Sequence, residues 1–237
     1  MEDNRGACKD PTFSMNLGNF LRSAANGWNP DSAAGRMRNK RFSLFVDLVK
    51  KFAPPVRVLD VGGQDEFWLA MDRSQLPEID LTLLNIFPST SRLPNSRCIA
   101  GDARSMPGIA DKAYDIVFSN SVIEHVGGLR DQRRMAGECL RVGKAHFIQT
   151  PNRHFPVEPH FLLPFFQCLP QSIRAICHAS SDLGWWKKAA GYYPALEEVE
   201  SIRLLTKAEM RYLFPASALF EEKALGLTKS FIAWGIK

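Results

Sequence analysis

Three histidines and one glutamate carry the side chains best suited to acid–base chemistry. His125 lies in an Ile-Glu-His-Val run, and His154, Glu158 and His160 share the run Asn-Arg-His-Phe-Pro-Val-Glu-Pro-His. An imidazole, with an ordinary pKa of about 6.5, can accept a proton at neutral pH. The two prolines stiffen the second run, so its polar groups are expected to point in fixed directions. We interpret these four residues as candidates for catalysis; the alternative is that they contact a substrate or order their loops.

The second run also raises the question of a metal site, because histidine and glutamate are common ligands. The spacing of His154, Glu158 and His160 matches no standard ligand pattern, so we expect no metal. Five scattered cysteines without a Cys-x-x-Cys pair predict reduced thiols in a cytoplasmic protein, and neither a disulfide framework nor a zinc site.

The stretch Val-Arg-Val-Leu-Asp-Val-Gly-Gly over 56–63 predicts a buried strand that ends in a tight turn. Glycine leaves the backbone free to adopt unusual dihedral angles and lets another group come close. In parallel α/β sheets, ligands bind at the carboxyl ends of the strands. The pattern therefore predicts either a cofactor-binding turn or an ordinary strand-to-helix turn.

Alternating strands and helices predict an α/β protein with a mostly parallel sheet that is covered on both faces. An amphipathic helix over 36–53 precedes the first strand. Thr206 and Glu209 form a capping box that opens a late helix, and two strand-like runs around Gly226 predict a terminal antiparallel pair. Further strands are predicted at 80–86, 97–100, 114–119 and 145–150, and further helices at 65–75, 130–142 and 205–214.

Two segments depart from this alternation. Residues 1–35 are rich in Asn, Gly, Ser and Ala and are predicted to be loosely ordered. Residues 151–200 are rich in proline and aromatic residues, which predicts an insertion within a domain spanning 36–237. We expect 161–190 to form a helical lid over an at least partly apolar acceptor. The alternative is that 161–166 belongs to an ordinary core and that Trp185-Trp186 forms a dimer contact.

Length and composition are those of a globular protein with a substantial core. The chain has 237 residues, of which 45% are hydrophobic and 23% charged, and its net charge is +5. No apolar run reaches the ~20 residues needed to span a bilayer, and the first residues lack the apolar centre of a signal peptide. We therefore expect a cytoplasmic location; the positive charge favours acidic partners only mildly.

Four segments resemble, in order, the cofactor motifs of class I S-adenosylmethionine-dependent methyltransferases, in the branch called methyltransferase type 11. They are VRVLDVGG, LTLLNI, GDARSMP and AYDIVFSNSVIEHV. The resemblance covers about 40–237 and is strongest over 56–160. It implies a Rossmann-like, seven-stranded, mostly parallel sheet with a reversed terminal strand.

The resemblance also implies which residues hold S-adenosylmethionine. Asn85 would hold the ribose, Asp102 would accept a hydrogen bond from the adenine amino group, and Ala103 would pack on the adenine ring. The full set that it implies is Asp60, Gly62, Gly63, Asn85, Ile86, Asp102, Ala103, Ser119 and Asn120.

Two departures from the family pattern concern the cofactor. The family usually has the motif D-x-G-x-G, but here Gln64 and Asp65 follow Gly63. The second motif usually ends in Asp or Glu, where this chain has Asn85. An amide can donate and accept, but it forgoes the stronger charge-assisted bonds to the ribose.

We therefore expect methyl transfer to oxygen or nitrogen of a small or medium-sized molecule. Such a transfer mainly requires alignment of donor and acceptor and needs no metal. One alternative is an RNA or DNA methyltransferase, suggested by Trp185-Trp186-Lys187-Lys188, although Ser-Asn-Ser-Val after the fourth strand is not the usual motif for base methylation. The other alternative is a cofactor-binding protein without catalytic activity. We expect a small-molecule partner rather than nucleic acid, and a homodimer stays open.

Overall fold

The computed structural model describes residues 31–87 and 90–237. The α-helices are α1 (Ala33–Val49), α2 (Asp65–Ala70), α3 (Leu129–Val142), α4 (Gln171–Ser180), α5 (Tyr192–Glu200) and α6 (Lys207–Leu213). The strands are β1 (Val56–Val61), β2 (Ile79–Asn85), β3 (Ser96–Ala100), β4 (Tyr114–Asn120), β5 (Gly143–Pro151), β6 (Ala218–Ala224) and β7 (Leu227–Ile236).

Within the described residues, seven strands form one sheet in the order β3-β2-β1-β4-β5-β7-β6. The first five strands run parallel to one another, and β7 runs antiparallel to both β5 and β6. The predicted fold, a mostly parallel sheet with a reversed terminal strand, is therefore confirmed. The carboxyl ends of β1 to β5 meet at one edge, which brings the loops after them together.

Apolar residues cover both faces of the sheet. On one face, Phe45 of α1 and Trp68 of α2 pack against Phe118 of β4, and Phe42 of α1 packs against both of them. On the other face, buried residues of α3 and α6 pack against β4, β5 and β7. Because β1 and β4 lie in the centre and are covered on both sides, their sequences read as nearly continuous apolar runs.

The predicted helices differ from the observed ones mainly at their ends. The segment predicted to be loosely ordered, 1–35, lies outside the described residues up to residue 30, and α1 already begins at Ala33. It begins there because the Ser32 hydroxyl accepts a hydrogen bond from Gly35 N at 2.8 Å, as an N-cap does. Helix α2 ends at Ala70 and not at 75, because Asp72 accepts from Ser74 N at 2.9 Å and so favours a turn.

The segment 151–200 contains α4, α5 and a short 3-10 helix at Phe166–Cys168. It has a small core of its own, in which Phe161 stacks on Trp186 with ring centroids 5.8 Å apart. Phe161 and Phe166 are buried and Phe165 is exposed, so part of the apolar run at 161–166 is ordinary core. None of the helices described for this chain has the length and hydrophobicity that crossing a membrane requires.

Candidate functional site

A cavity of about 730 Å³, called here the strand-end cavity, opens at the carboxyl ends of β1, β2 and β3. Its size falls in the range of small-molecule sites, roughly 300–1,000 Å³. The structure brings seven of the residues predicted from the sequence into its wall: Gly62, Gly63, Asn85, Ile86, Asp102, Ala103 and His125.

The glycine turn after β1 forms the floor of this cavity and admits no larger residue. Gly62 has φ +77°, and a Cβ atom there would lie 2.5 Å from the Val122 side chain. A Cβ atom at Gly63 would lie 2.2 Å from Asp60 Oδ2. The backbone therefore lies close to its neighbours on one side and faces the cavity on the other, as a cradle for a ligand does.

Asn85, at the end of β2, is tied to this turn. Its Nδ2 atom donates to Gly63 O at 2.8 Å. A carboxylate has no proton to donate, so an acidic residue at this position would lose the bond to the turn. The departure from the expected Asp or Glu thus has a local reason, in addition to any contact with a ligand.

Replacing Asn85 by Asp is expected to destabilise the protein by about 1–3 kcal/mol, the usual cost of an unmade hydrogen bond to a buried group. The new carboxylate would also repel the Gly63 carbonyl oxygen. Urea denaturation of the variant and of the wild type measures the difference. Asp80→Asn on the same strand is the control, because Asp80 pairs with exposed Arg97 and such pairs contribute about 1 kcal/mol or less. Equal losses in the two variants would contradict the role of the amide.

Asp60 lies beneath the turn and, among the described residues, is not one of those that line the cavity. Its side chain is 2% exposed, and its Oδ2 atom accepts from Trp68 Nε1 at 2.7 Å. Burial raises the pKa of Asp60 to about 7, against the opposing effect of the Trp68 hydrogen bond. Asp60 therefore supports the cradle from below, and its part in holding the cofactor stays a prediction.

Asp102 faces the cavity together with Arg104, a residue that the sequence analysis did not single out. Arg104 Nη2 donates to Asp102 Oδ2 at 2.7 Å, and the Arg104 backbone N–H donates to Oδ1 at 2.8 Å. The hydrogen bonds from Arg104 hold the pKa of the Asp102 carboxyl below its ordinary range. The carboxylate is thus fixed and ionised at the cavity wall, beside the buried Ala103.

Ser119 and Asn120, at the end of β4, do not line the strand-end cavity within the described part of the chain. Ser119 is fully buried and donates to Val61 O at 3.0 Å, so it joins β4 to β1. Asn120 Oδ1 accepts from Arg41 of α1. Ser119 thus joins two strands of the sheet and Asn120 contacts α1, and a contact of either residue with the cofactor stays a prediction.

Asn120 borders a second, smaller cavity of about 160 Å³, called here the basic cavity, between α1 and the ends of β4 and β5. Arg38, Arg41 and Lys229 line it, and Arg41 pairs with Glu222 at 2.7 Å. Burial, followed by the charge of Arg41, lowers the pKa of Lys229. Cationic groups are therefore concentrated in a partly buried space.

His125 and His160, called here the histidine pair, come together from the 3-10 turn Ile123–His125 and the loop after β5. Their Nε2 atoms lie 3.2 Å apart, and His160 Nδ1 lies 2.7 Å from Glu158 Oε1. Desolvation, followed by the charge of His160, lowers the pKa of His125 to about 4. Burial lowers the pKa of His160, but the hydrogen bond and charge of Glu158 outweigh burial and raise it.

Glu124 lies beside this pair. It belongs to the Ile-Glu-His-Val run but is not among the site residues predicted from the sequence. It is fully buried, and its Oε2 atom accepts from Thr150 Oγ1 at 2.9 Å. Burial raises the pKa of Glu124. Glu158, His160 and His125 form a line of hydrogen-bonding groups, from buried Glu158 to His125 in the cavity wall, and Glu124 lies beside this line.

Two further predictions for the acceptor side are a catalytic His154 and a lid formed by 161–190. His154 is exposed and is not one of the groups that join the histidine pair in the described residues. Nothing from 161–190 lines the strand-end cavity in the described chain. Residues of this segment border instead a space of about 360 Å³ that Glu158, Gln167 and Arg174 share. A lid function for 161–190 stays a prediction.

Comparison with known proteins identifies part of the chain. Residues 59–146 match the family model described as a methyltransferase domain. The protein of Mycobacterium tuberculosis named "Uncharacterized protein Rv1509" is 34% identical over 70 residues, which are 30% of this chain and 24% of that protein. The chain thus spans about a quarter of the length of the curated relatives that it matches.

Solved structures share the fold at low identity. A Bordetella parapertussis chain described as a possible exported protein has a TM-score of 0.53 at 15% identity, covering 86% of this chain and 68% of that one. A chain in the Haloferax volcanii complex of the Trm112 methyltransferase activator with a methyltransferase has a TM-score of 0.51 at 13% identity, covering 91% and 96%. At these identities the likeness concerns the fold alone.

Proposed function

Since residues 59–146 form a class I S-adenosylmethionine-dependent methyltransferase domain, we propose that the chain transfers a methyl group to oxygen or nitrogen of a small or medium-sized acceptor. One observation carries the proposal: the strand-end cavity, with its glycine cradle, ends at His125 of the histidine pair. A donor site and a line of proton-carrying groups therefore adjoin each other.

The residues of the strand-end cavity fit the cofactor. Gly62 and Gly63 leave room for its methionine end, Asn85 lies where its ribose is expected, and Asp102 with Ala103 lies where its adenine is expected. When bound, the cofactor supplies a methyl group on a sulfonium sulfur. Alignment of donor and acceptor alone can contribute roughly 7–11 kcal/mol to such a displacement.

The histidine pair gives the acceptor's proton a place to go. With Nε2–H of His125 donating to His160, the Nδ1 atom of His125 has a lone pair for the incoming proton. A proton taken up at His125 Nδ1 lets the Nε2 proton move to His160, which Glu158 stabilises at 2.7 Å. Of the four residues predicted to be catalytic, we propose His125, His160 and Glu158 for this role, and we leave His154 out.

The basic cavity supports an acceptor with an anionic group next to its apolar part. Arg38 and Lys229 are cationic, and apolar residues such as Val157 and Pro159 also line this space. Pro159 directly precedes His160, so the basic cavity and the histidine pair are neighbours. Assays of methyl transfer with matched acceptors, with and without a carboxylate, test this part of the proposal.

The proposal predicts that the protein binds S-adenosylmethionine in the micromolar range, about −8 kcal/mol. Ile86 is 69% exposed in the cavity wall, so Ile86→Ala is expected to weaken binding about fivefold, or about 1 kcal/mol. Isothermal titration calorimetry measures the affinity of the wild type and of Ile86→Ala for S-adenosylmethionine. Leu225→Ala is the control, because Leu225 is fully exposed in the turn between β6 and β7.

Three results would count against this assignment. No binding heat at millimolar S-adenosylmethionine would overturn the function. Equal affinities in wild type and Ile86→Ala would contradict the placement of the cofactor in the strand-end cavity. Binding without transfer to any acceptor would favour the alternative of a protein that binds the cofactor and does not catalyse.

A further inference from the structure

We propose that Glu124, His125 and His160 form a binding site for a divalent transition-metal ion at the edge of the strand-end cavity. One ligand atom from each of these residues lies within 4.8 Å of the others. The two Nε2 atoms are 3.2 Å apart. Two ligands bound to one zinc ion, with Zn–N of about 2.0–2.1 Å, have a comparable separation.

Glu124 supplies the observation that points most directly to a cation. Its Oε2 atom accepts from Thr150, but its Oε1 atom is buried and has no hydrogen-bond partner among the described residues. Buried polar atoms nearly always have a partner, and an exception calls for an explanation such as an ion. A cation between this carboxylate and the histidine pair would give the Glu124 Oε1 atom the partner that it lacks.

His160 is oriented as metal-binding histidines usually are. Its Nδ1 atom lies 2.7 Å from Glu158 Oε1, and Glu158 Oε2 accepts from the backbone N–H groups of His160 and Phe161 at 2.7 and 2.6 Å. A carboxylate on the far ring nitrogen fixes the tautomer in which the near nitrogen has a free lone pair. Glu158 therefore holds Nε2 of His160 ready to bind a metal.

The donor set favours Mn²⁺, Fe²⁺, Co²⁺ or Zn²⁺. Two imidazoles and one carboxylate leave further coordination positions open and suit these ions better than Mg²⁺ or Ca²⁺, which prefer oxygen. Without a metal, the two Nε2 atoms share a proton, as the proposed relay through the histidine pair requires. A bound ion replaces that proton, so the relay would not operate in the metal-bound protein. The ion would instead lower the pKa of a bound acceptor hydroxyl, whose proton leaves to solvent. Because His125 borders the strand-end cavity, an open position would bind an acceptor oxygen beside the methyl donor. This last step rests on the proposed function and narrows the acceptor atom to oxygen.

The experiment measures binding of Co²⁺ to the untagged full chain after treatment with a chelator. We expect one equivalent by equilibrium dialysis and a visible absorption band from nitrogen and oxygen ligands. Glu124→Gln keeps the shape of the side chain and is expected to weaken binding at least tenfold, as is His160→Gln. Glu158→Gln, which acts through His160, is expected to weaken it about 10–100-fold. His154→Ala, an exposed histidine outside the cluster, is the control and should bind as the wild type does.

The outcomes separate this site from the proposed function. No bound Co²⁺ at 1 mM, or equal affinity in all five proteins, overturns the metal site. Calorimetry with S-adenosylmethionine on the same samples reports on the cofactor independently. Cofactor binding without metal binding refutes only the metal site, and metal binding without cofactor binding refutes only the methyltransferase function. Thermal unfolding of each variant shows whether a loss of binding reflects loss of the fold.

Discussion

Replacing Trp68 by alanine is expected to lower the free energy of unfolding by about 3–5 kcal/mol through the cavity it leaves. Trp68 is fully buried, and its ring lies 5.5–6.1 Å, centroid to centroid, from the four phenylalanines Phe42, Phe45, Phe67 and Phe118. The change also deprives Asp60 of its donor, at a further cost of about 1–3 kcal/mol. The total free energy of unfolding of a protein is only about 5–15 kcal/mol, so this single change removes much of it.

Urea denaturation measures this loss, and calorimetry with S-adenosylmethionine measures its effect on the cradle above Asp60. Trp68→Phe helps to separate the two contributions, because it removes the hydrogen bond to Asp60 but only part of the ring volume. Trp185→Ala is the matched control, since Trp185 is 52% exposed. A loss for Trp68→Ala no larger than that for Trp185→Ala would contradict the role of Trp68 as the link between core and cradle.

The strands could be predicted because each is an apolar run between turn signals. Buried on both faces, β1 and β4 have sequences that admit few other interpretations. The terminal pair was equally clear, because Gly226 separates two alternating runs. Helix ends were harder to predict, since they depend on single hydrogen bonds such as the one from Gly35 N to Ser32.

The strand-end cavity was largely predictable for a related reason. The topology of a parallel sheet brings the loops after its strands to one edge, whatever those loops contain. Gly62 directly follows β1, Asn85 ends β2 and Asp102 lies two residues after β3, so their meeting follows from the fold. The side chain of Asp60 points to Trp68 beneath the turn, a contact that the sequence pattern does not reveal, and its role toward the cofactor stays a prediction.

The histidine pair illustrates what the sequence does not contain. His125 and His160 are 35 residues apart and belong to a turn and a loop, whose paths no hydrophobic pattern determines. A search for metal ligands within one run considers His154 with His160, whereas the structure places His160 against His125 and Glu124. The contact depends on the bend after β5, where Glu158 binds the backbone of its own loop.

The pH dependence of stability should change when Asp60 is replaced by asparagine. Burial raises the pKa of Asp60 from 3.8 to about 7 in the folded protein. A raised pKa means that the folded state binds the proton more tightly, so the contribution of Asp60 is fully present below about pH 4. It is lost as the pH rises to 7. A pKa shift of this size corresponds to about 4 kcal/mol. As the pH rises from 4 to 8, the free energy of unfolding of the wild type should therefore fall by about that amount relative to Asp60→Asn.

Urea denaturation of both proteins at several pH values gives the difference directly. His125 and His146, whose pKa values burial lowers to about 4, change stability in the opposite direction, but they are present in both proteins and cancel. Asp115→Asn is the control of opposite sign, because Lys144 and Arg57 outweigh burial and lower the pKa of Asp115 to about 2. The difference in free energy of unfolding between Asp115→Asn and wild type should change with pH below about pH 4 and stay constant above pH 4. A difference between wild type and Asp60→Asn that is flat from pH 4 to pH 8 would show that the Asp60 carboxyl is solvated in the folded protein.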